Sequence, residues 1–196
     1  MKKPRIVLAS QSPRRKILLK QIGIRFTAHP SRIPEEFFPK QSPRRNAERI
    51  ALEKATEVAK HYRHAIVVGA DTIVVLGKRL LAKPVSKSDA VRMLRLLSGK
   101  EHVVVTAFAL VDCRSGRSFV ASERTRVRFR RIDPDEIRSY VATGSPMDKA
   151  GAYGIQDDYG AVFVERISGC FYTVVGFPLA QFHTALKKFL RQLGYR

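Results

Sequence analysis

Short apolar runs alternate along the chain with stretches spaced like amphipathic helices. Residues 6–9, Ile-Val-Leu-Ala, form a first strand that runs into Ser10-Gln11-Ser12-Pro13-Arg14-Arg15. Ser12 suits a helix N-cap, Pro13 the first helical position, and Ile17, Leu18, Leu19 and Ile22 an apolar stripe. The same Ser-Pro-Arg-Arg recurs at Ser42 with no strand before it. It reads there as capping plus surface charge, opening a helix to about Tyr62. On that helix Ala47, Ile50, Ala51 and Val58 share one arc, and Lys54 falls inside it.

The longest apolar run, Ala65–Leu76, carries one carboxylate, Asp71, in its middle. Such a run reads as a strand buried on both faces. A bare carboxylate there is costly to desolvate unless something cationic meets it, so Asp71 is expected to be paired or to ligate a metal. Gly69-Ala70 beside it is expected to leave room for an approaching ligand. Lys54 either snorkels to water or meets a buried anion such as Asp71.

After a turn at Gly77, Pro84 pushes Lys83 to an extended backbone. A helix carries Ala90, Met93, Leu94 and Leu97 on one face and stops at Ser98-Gly99-Lys100. Residues 102–112 read as a strand with 119–131 as its hairpin partner. In that partner Arg124, Arg126, Arg128 and Arg130 share one face by period two. A solvated face is the ordinary reading of such a stripe; nucleic-acid contact is the lesser one, because Phe129 points the other way. Asp133 opens a helix reaching about Ala142. The stretch 143–156, with Gly144, Pro146, Gly151 and Gly154, suggests backbone shaped around a ligand. Residues 161–164 and 172–175 read as strands, and a terminal helix follows from Leu179.

Charge changes this picture. In 196 residues, 37 Lys+Arg against 17 Asp+Glu give a net charge of +20, which favours a polyanionic partner, either nucleic acid or a phosphorylated small molecule. The strand–turn–helix at Ser12 is a ready anion site, because unpaired backbone N–H groups face forward there. Arg14 and Arg15 sit in that first turn, where the helix dipole disfavours cations, and a bound anion explains the cost. Two cysteines, Cys113 and Cys170, without metal-ligand spacing fit a reduced cytoplasm. The apolar runs are too short to span a bilayer. The N-terminus turns polar again at Ser10, short of a signal peptide's apolar core. The five histidines show no ligand spacing.

Several separated motifs then coincide. Leu8-Ala-Ser10-Gln-Ser12-Pro13-Arg14-Arg15, Gly69-Ala70-Asp71-Thr72, Lys83-Pro84, Leu97-Ser98-Gly99-Lys100 and Asp148-Lys149-Ala150-Gly151-Ala152-Tyr153-Gly154-Ile155-Gln156 resemble the Maf family of nucleoside triphosphate pyrophosphatases. The resemblance covers nearly the whole chain, from Ile6 to about Leu179. It implies a single α/β domain over residues 1–196, elongated and two-lobed, with a central mixed β-sheet flanked by helices. That fold is similar to the inosine triphosphatases, with the substrate in a cleft between lobes. It implies hydrolysis of a nucleoside triphosphate to the monophosphate and pyrophosphate with a divalent metal cation (Mg2+, Mn2+ or Co2+). The motifs around Asp71 and Gln156 resemble the branch acting on dTTP and UTP more than the branch acting on 7-methyl-GTP. A cytoplasmic homodimer is also implied.

By the same resemblance Asp71 matches the catalytic carboxylate, and Arg14, Thr72 and Gln156 the selectivity positions. Ser10, Arg15, Glu35, Lys54 and Lys83 match other cleft residues. Ser145 stands where the family usually carries Glu, and Ala82 replaces a common glycine. Magnesium takes one or two carboxylates plus phosphate oxygens, which Asp71 with Glu35 would satisfy. Whether Asp71 is ligand or base stays open at this level. Two rivals remain: another or modified base such as 7-methyl-GTP, and a nucleic-acid-binding regulatory protein, which offers no reason for a carboxylate inside an apolar strand.

Overall fold

Strand β1 (Arg5–Leu8) runs through a tight turn into helix α1 (Pro13–Gln21), whose N-cap Ser12 accepts from the Arg15 backbone N–H. The chain returns through β2 (Phe26–Ala28) and helix α2 (Pro43–Ala59) to the long β3 (Ala65–Leu76). Both β2 and β3 pair with β1 in parallel, Ile6 standing opposite Phe26 on one side and Ile66 on the other. Then follow β4 (Arg79–Leu81), α3 (Lys87–Leu97), β5 (Glu101–Asp112), β6 (Ser118–Phe129), α4 (Pro134–Ala142), β7 (Val164–Ser168), α5 (Phe171–Val175) and α6 (Leu179–Gln192). These elements come from a computed structural model that describes residues 4–156 and 159–195. The seven strands form one mixed sheet in the order β2-β1-β3-β5-β6-β7, with β4 antiparallel on β3 and β7 antiparallel on β6. The α/β class with a central mixed sheet is therefore as expected.

Two compact units divide the chain. The first runs through Asp71 and adds Thr106–Glu123 and the residues from Gly176 onward; the second takes Thr72–Val105 and Arg124–Val175. In the first, the buried middle of β3 lies against α2, whose Ala47, Ile50, Ala51, Ala55 and Val58 are fully buried. Phe108, Phe177 and Phe182 close the same unit with ring centroids 4.7–6.1 Å apart. In the second, α3 and α4 bury Ala90, Met93, Leu94, Leu97, Ile137 and Val141 in one cluster with Val127, Phe129, Tyr153 and Phe163. Burying side chains of this size contributes roughly 1.5–3 kcal/mol each.

Three local expectations need correction. Residues 161–164 do not begin a strand: Tyr159–Phe163 is a 3-10 helix, and β7 starts at Val164. Phe163 is the cause, since its ring is drawn inward against Tyr140 and Phe129. Residues 172–175 lie in the short helix α5, not in a strand. Gly169 (φ 127°) and Gly176 (φ 116°) bracket this β-branched run, and it pairs with no strand, so packing of Thr173 and Val175 overrides propensity. The arginine stripe is shorter than four. Arg124, Arg126 and Arg128 are exposed on β6, whereas Arg130 lies past its end and pairs with Glu136 at 2.6 Å. The edge strand β2 carries too few residues to show an alternation and was not expected. No helix among the described residues is long and apolar enough to cross a membrane.

Candidate active site

In the first unit the site starts from helix α2. Lys54, on its apolar face, is buried, and its Nζ donates to Asp71 Oδ1 and to Glu35 Oε1, each at 2.7 Å. One ammonium thus joins the carboxylate inside β3 to a second one on the preceding loop. The lysine meets the anion rather than snorkelling away. Burial pushes the Asp71 carboxyl above the usual range; Lys54 and then Arg15 pull it back, and Glu35 adds to the rise. Asp71 Oδ2 is buried and has no hydrogen-bond partner among the described residues.

Gly69 explains the reach of Lys54. A Cβ at Gly69 would stand 2.1 Å from the Ala51 carbonyl oxygen and 2.9 Å from the Ala55 nitrogen. The space expected for a ligand is occupied by the α2 backbone. The missing side chain therefore serves helix–strand contact, which carries Lys54, between Ala51 and Ala55, to Asp71.

Arg15 ties the turn before α1 to the same strand. Its Nη1 donates to Ser10 Oγ at 3.2 Å and to the Ala70 carbonyl at 3.0 Å, and its Nε to the Gly176 carbonyl at 3.0 Å. Burial lowers its pKa, and Asp71 and Glu35 oppose that. Ser10 is buried and also accepts from the Ser12 N–H at 3.2 Å. Arg14 is half-buried in the first turn of α1. Five of the expected residues, Ser10, Arg15, Glu35, Lys54 and Asp71, thus lie in this unit along one chain of neighbours, with Arg14 next to Arg15.

Two residues of α2 that sequence reasoning missed hold the Glu35 loop. Asn46 is buried; its Oδ1 accepts from the Phe38 N–H at 2.9 Å and its Nδ2 donates to the Phe38 carbonyl at 3.0 Å. Arg49 donates to the Glu36 carbonyl, and its guanidinium lies 4.1 Å from the Phe38 ring centroid. An asparagine inside a helix was the available signal, because its amide competes with helical bonds unless something else uses it.

The second unit holds Thr72, Lys83 and Gln156. Thr72 follows Asp71 in β3 and points to the other face of the sheet. Lys83 is exposed just after β4, next to buried Pro84. The Gly151 N–H donates to the Ala82 carbonyl at 3.1 Å, which fastens the glycine-containing loop to that segment. Lys149 is buried, and its Nζ donates to the Ser145 carbonyl, to Ser145 Oγ at 3.1 Å and to Asp148 Oδ1 at 2.8 Å. Gln156 is half-buried, and its Oε1 has no hydrogen-bond partner among the described residues.

Among the histidines, His102 is set apart. It is buried near the start of β5, with Nε2 2.8 Å from the Tyr153 hydroxyl and its ring edge-on to Phe129 at 4.9 Å. Burial pulls its pKa down to about 4 from 6.5 and pushes the Tyr153 hydroxyl up. Between those two values the unfolded chain binds a proton that the folded chain refuses. Stability therefore falls as pH drops from 6.5 toward 4, by about 3 kcal/mol at the limit. Urea titrations of wild type and His102→Phe across this window should show that slope in the wild type and a flatter one in the variant. Parallel curves would refute it.

A cation would find a fitting donor set here. No group of three or more His, Cys, Asp or Glu gathers among the described residues. Asp71, with its unused buried Oδ2, and Glu35 across Lys54 provide the two carboxylates that a magnesium site completed by phosphate oxygens requires.

Residues 5–189 match the family model described as Maf-like protein. The chain is 49% identical to the dTTP/UTP pyrophosphatase of Syntrophomonas wolfei, over 92% of this chain and 95% of that one. It is 48% identical to the dTTP/UTP pyrophosphatase of Moorella thermoacetica, over 94% and 95%. It is 45% identical to the dTTP/UTP pyrophosphatase of Aquifex aeolicus, over 97% and 96%. With a buried lysine–carboxylate pair where the Gly-Ala-Asp-Thr motif lies and a match over nearly its whole length, the chain belongs to the Maf family.

Proposed function

We propose that this protein is a nucleoside triphosphate pyrophosphatase that hydrolyses dTTP and UTP to the monophosphate and pyrophosphate. The observation that carries the reading is the Glu35–Lys54–Asp71 chain. It sets a buried ammonium against a carboxylate inside an apolar strand, beside the turn that opens α1. The relatives' activity supports the substrate class.

Water adds across the α–β anhydride, so the attacking water needs orientation and the triphosphate needs its charge neutralised. Asp71 takes the role of the group that orients the water and accepts its proton. Lys54 opposes the burial that raises the pKa of that carboxyl. The N–H groups at the start of α1, with Arg14 and Arg15, bind phosphate oxygens; by family resemblance Lys83 is a further substrate-binding residue. Asp71 and Glu35 would hold a divalent cation (Mg2+, Mn2+ or Co2+), which would supply charge neutralisation and make a water beside it more acidic. Thr72 and Gln156 read the pyrimidine; an amide answers a base edge that offers both a donor and an acceptor. By family resemblance the enzyme works in the cytoplasm as a homodimer.

A panel of canonical and 7-methylated nucleoside triphosphates, assayed with each of the three cations and with pyrophosphate and phosphate measured separately, tests the reading. The expected result is cation-dependent pyrophosphate from dTTP and UTP in preference to the rest. Turnover confined to purine or methylated substrates would replace the substrate. No turnover, together with steeply salt-dependent nucleic-acid binding, would replace the function.

A further inference from the structure

We infer that His102 is a positioning residue for base recognition, acting through the Tyr153 hydroxyl on the loop that leads to Gln156. The inference rests on the proposed reading of Gln156 as a base-reading residue and concerns how its loop is held.

The loop is built into its unit rather than laid over it. Residues 151–154 are all buried. Gly151 (φ 70°) and Ala152 (φ 62°) are successive left-handed residues. Ala152 is the described non-glycine residue with positive φ. An alanine persists in that conformation where its surroundings over-determine it, and such places cluster at ligand clamps. The surroundings here are specific. A Cβ on Gly151 would stand 3.1 Å from Val74, and one on Gly160 would stand 2.7 Å from the Gly154 carbonyl oxygen.

Tyr153 is the side-chain anchor of this stretch. It is 5% exposed, its ring edge-on to Phe129 at 4.7 Å, and its hydroxyl meets His102 Nε2 at 2.8 Å. His102 itself is 2% exposed, and its Nδ1 has no hydrogen-bond partner among the described residues. A side chain kept there for packing alone would carry no polar atoms, since a buried ring nitrogen without a partner is a cost. The nitrogen that is used points at the loop. β5 thus supplies a fixed hydrogen-bonding post for Tyr153, three residues before Gln156. A selective amide must be held in place by neighbours that are themselves locked. The Gln156 Oε1 atom, buried and without a partner among the described residues, is the acceptor this arrangement keeps ready.

The test uses the full-length protein and two substrates that differ at the base edge, dTTP and dCTP. Tyr153→Phe removes one oxygen and leaves the packing, so it is the leading variant. His102→Phe, the double variant and His102→Gln complete the set. Expected is a loss of about tenfold in the dTTP over dCTP ratio of kcat/KM for Tyr153→Phe, carried by a higher KM for dTTP rather than by kcat. The double variant should be no less selective than the worse single one, because both remove the same bond. His102→Gln, which keeps a donor and an acceptor, should recover part of the ratio. Variants that melt earlier yet keep the wild-type ratio and KM at a temperature where all are folded would overturn the inference alone. Wild-type protein that leaves dTTP intact would overturn the proposed function and this inference with it.

Discussion

Asp71→Asn is expected to lose about 10²–10⁴-fold in pyrophosphate release, the range ordinarily carried by a positioned base, while the protein stays folded. The amide fills the same volume and keeps an oxygen for Lys54 Nζ, now 2.7 Å from Oδ1. Lys54 also keeps Glu35 at 2.7 Å, so its charge is not orphaned. What disappears is the negative charge, and with it proton acceptance and half of the carboxylate pair for a cation. Asp71→Ala differs in kind. It leaves a buried ammonium with one half-exposed partner, and breaking a buried pair costs about 3–5 kcal/mol. The two variants therefore separate chemistry from stability. Asparagine should silence turnover with a thermal midpoint near the wild type, and alanine should lower both. Steady-state pyrophosphate assays beside thermal melts decide it. Asparagine with wild-type turnover would remove Asp71 from the proposed mechanism.

The contrast between Asp71 and Gly69 shows what was legible in the chain. A carboxylate in an apolar run demands a counter-charge whatever the fold, so the one-dimensional pattern pointed to an Asp71 that is paired or ligates a metal. Lys54 could be nominated because helical spacing placed it on a buried arc. Gly69 was misread because a glycine beside a charge suits a ligand and a helix backbone equally well. Which of them fills the gap depends on where α2 lies, and no local pattern states that. Asn46 and Arg49 escaped for a related reason, since the contacts by which they hold the loop are to backbone groups of residues 36 and 38, invisible in side-chain spacing; the Arg49–Glu53 pair, which is visible there, does not reveal them.

The same limit governs the elements. β3, β5 and α2 carry long patterns of their own; the two strands stand where expected, and α2 begins where expected but ends at Ala59, short of Tyr62. β7 was displaced by several residues because Glu165, Arg166 and Ser168 make it polar. Its place is set by pairing with β6, Arg126 opposite Ser168 and Val127 opposite Ile167. The run 172–175 looked like a strand by propensity but has no partner edge. His102 was passed over among histidines without ligand spacing. Its bond to Tyr153 joins positions 51 apart in sequence.

Gly69→Val should be the most damaging single change outside the chemical groups. The φ of Gly69 lies outside the left-handed region, so backbone strain is not the cause. The cause is steric, and the obstacle is a helix backbone that cannot rotate away. Even an alanine Cβ would lie 2.1 Å from the Ala51 carbonyl oxygen. Helix α2 has to retreat, and a retreat of about 1 Å takes a 2.7 Å contact beyond hydrogen-bond range. Overpacking of this kind costs about 1–3 kcal/mol, and loss of the buried Lys54–Asp71 pair about 3–5 kcal/mol more. Gly69→Ala should therefore lower the urea midpoint at unchanged slope and reduce turnover in the fraction that folds; valine should prevent folding at ordinary temperatures. Gly77→Ala is the control. A Cβ there meets open space, but φ is 59°, so the expected loss is about 1 kcal/mol with no effect on turnover. If Gly69→Ala proved as stable and active as the wild type, the close approach of α2 to β3 could not be what delivers Lys54 to Asp71.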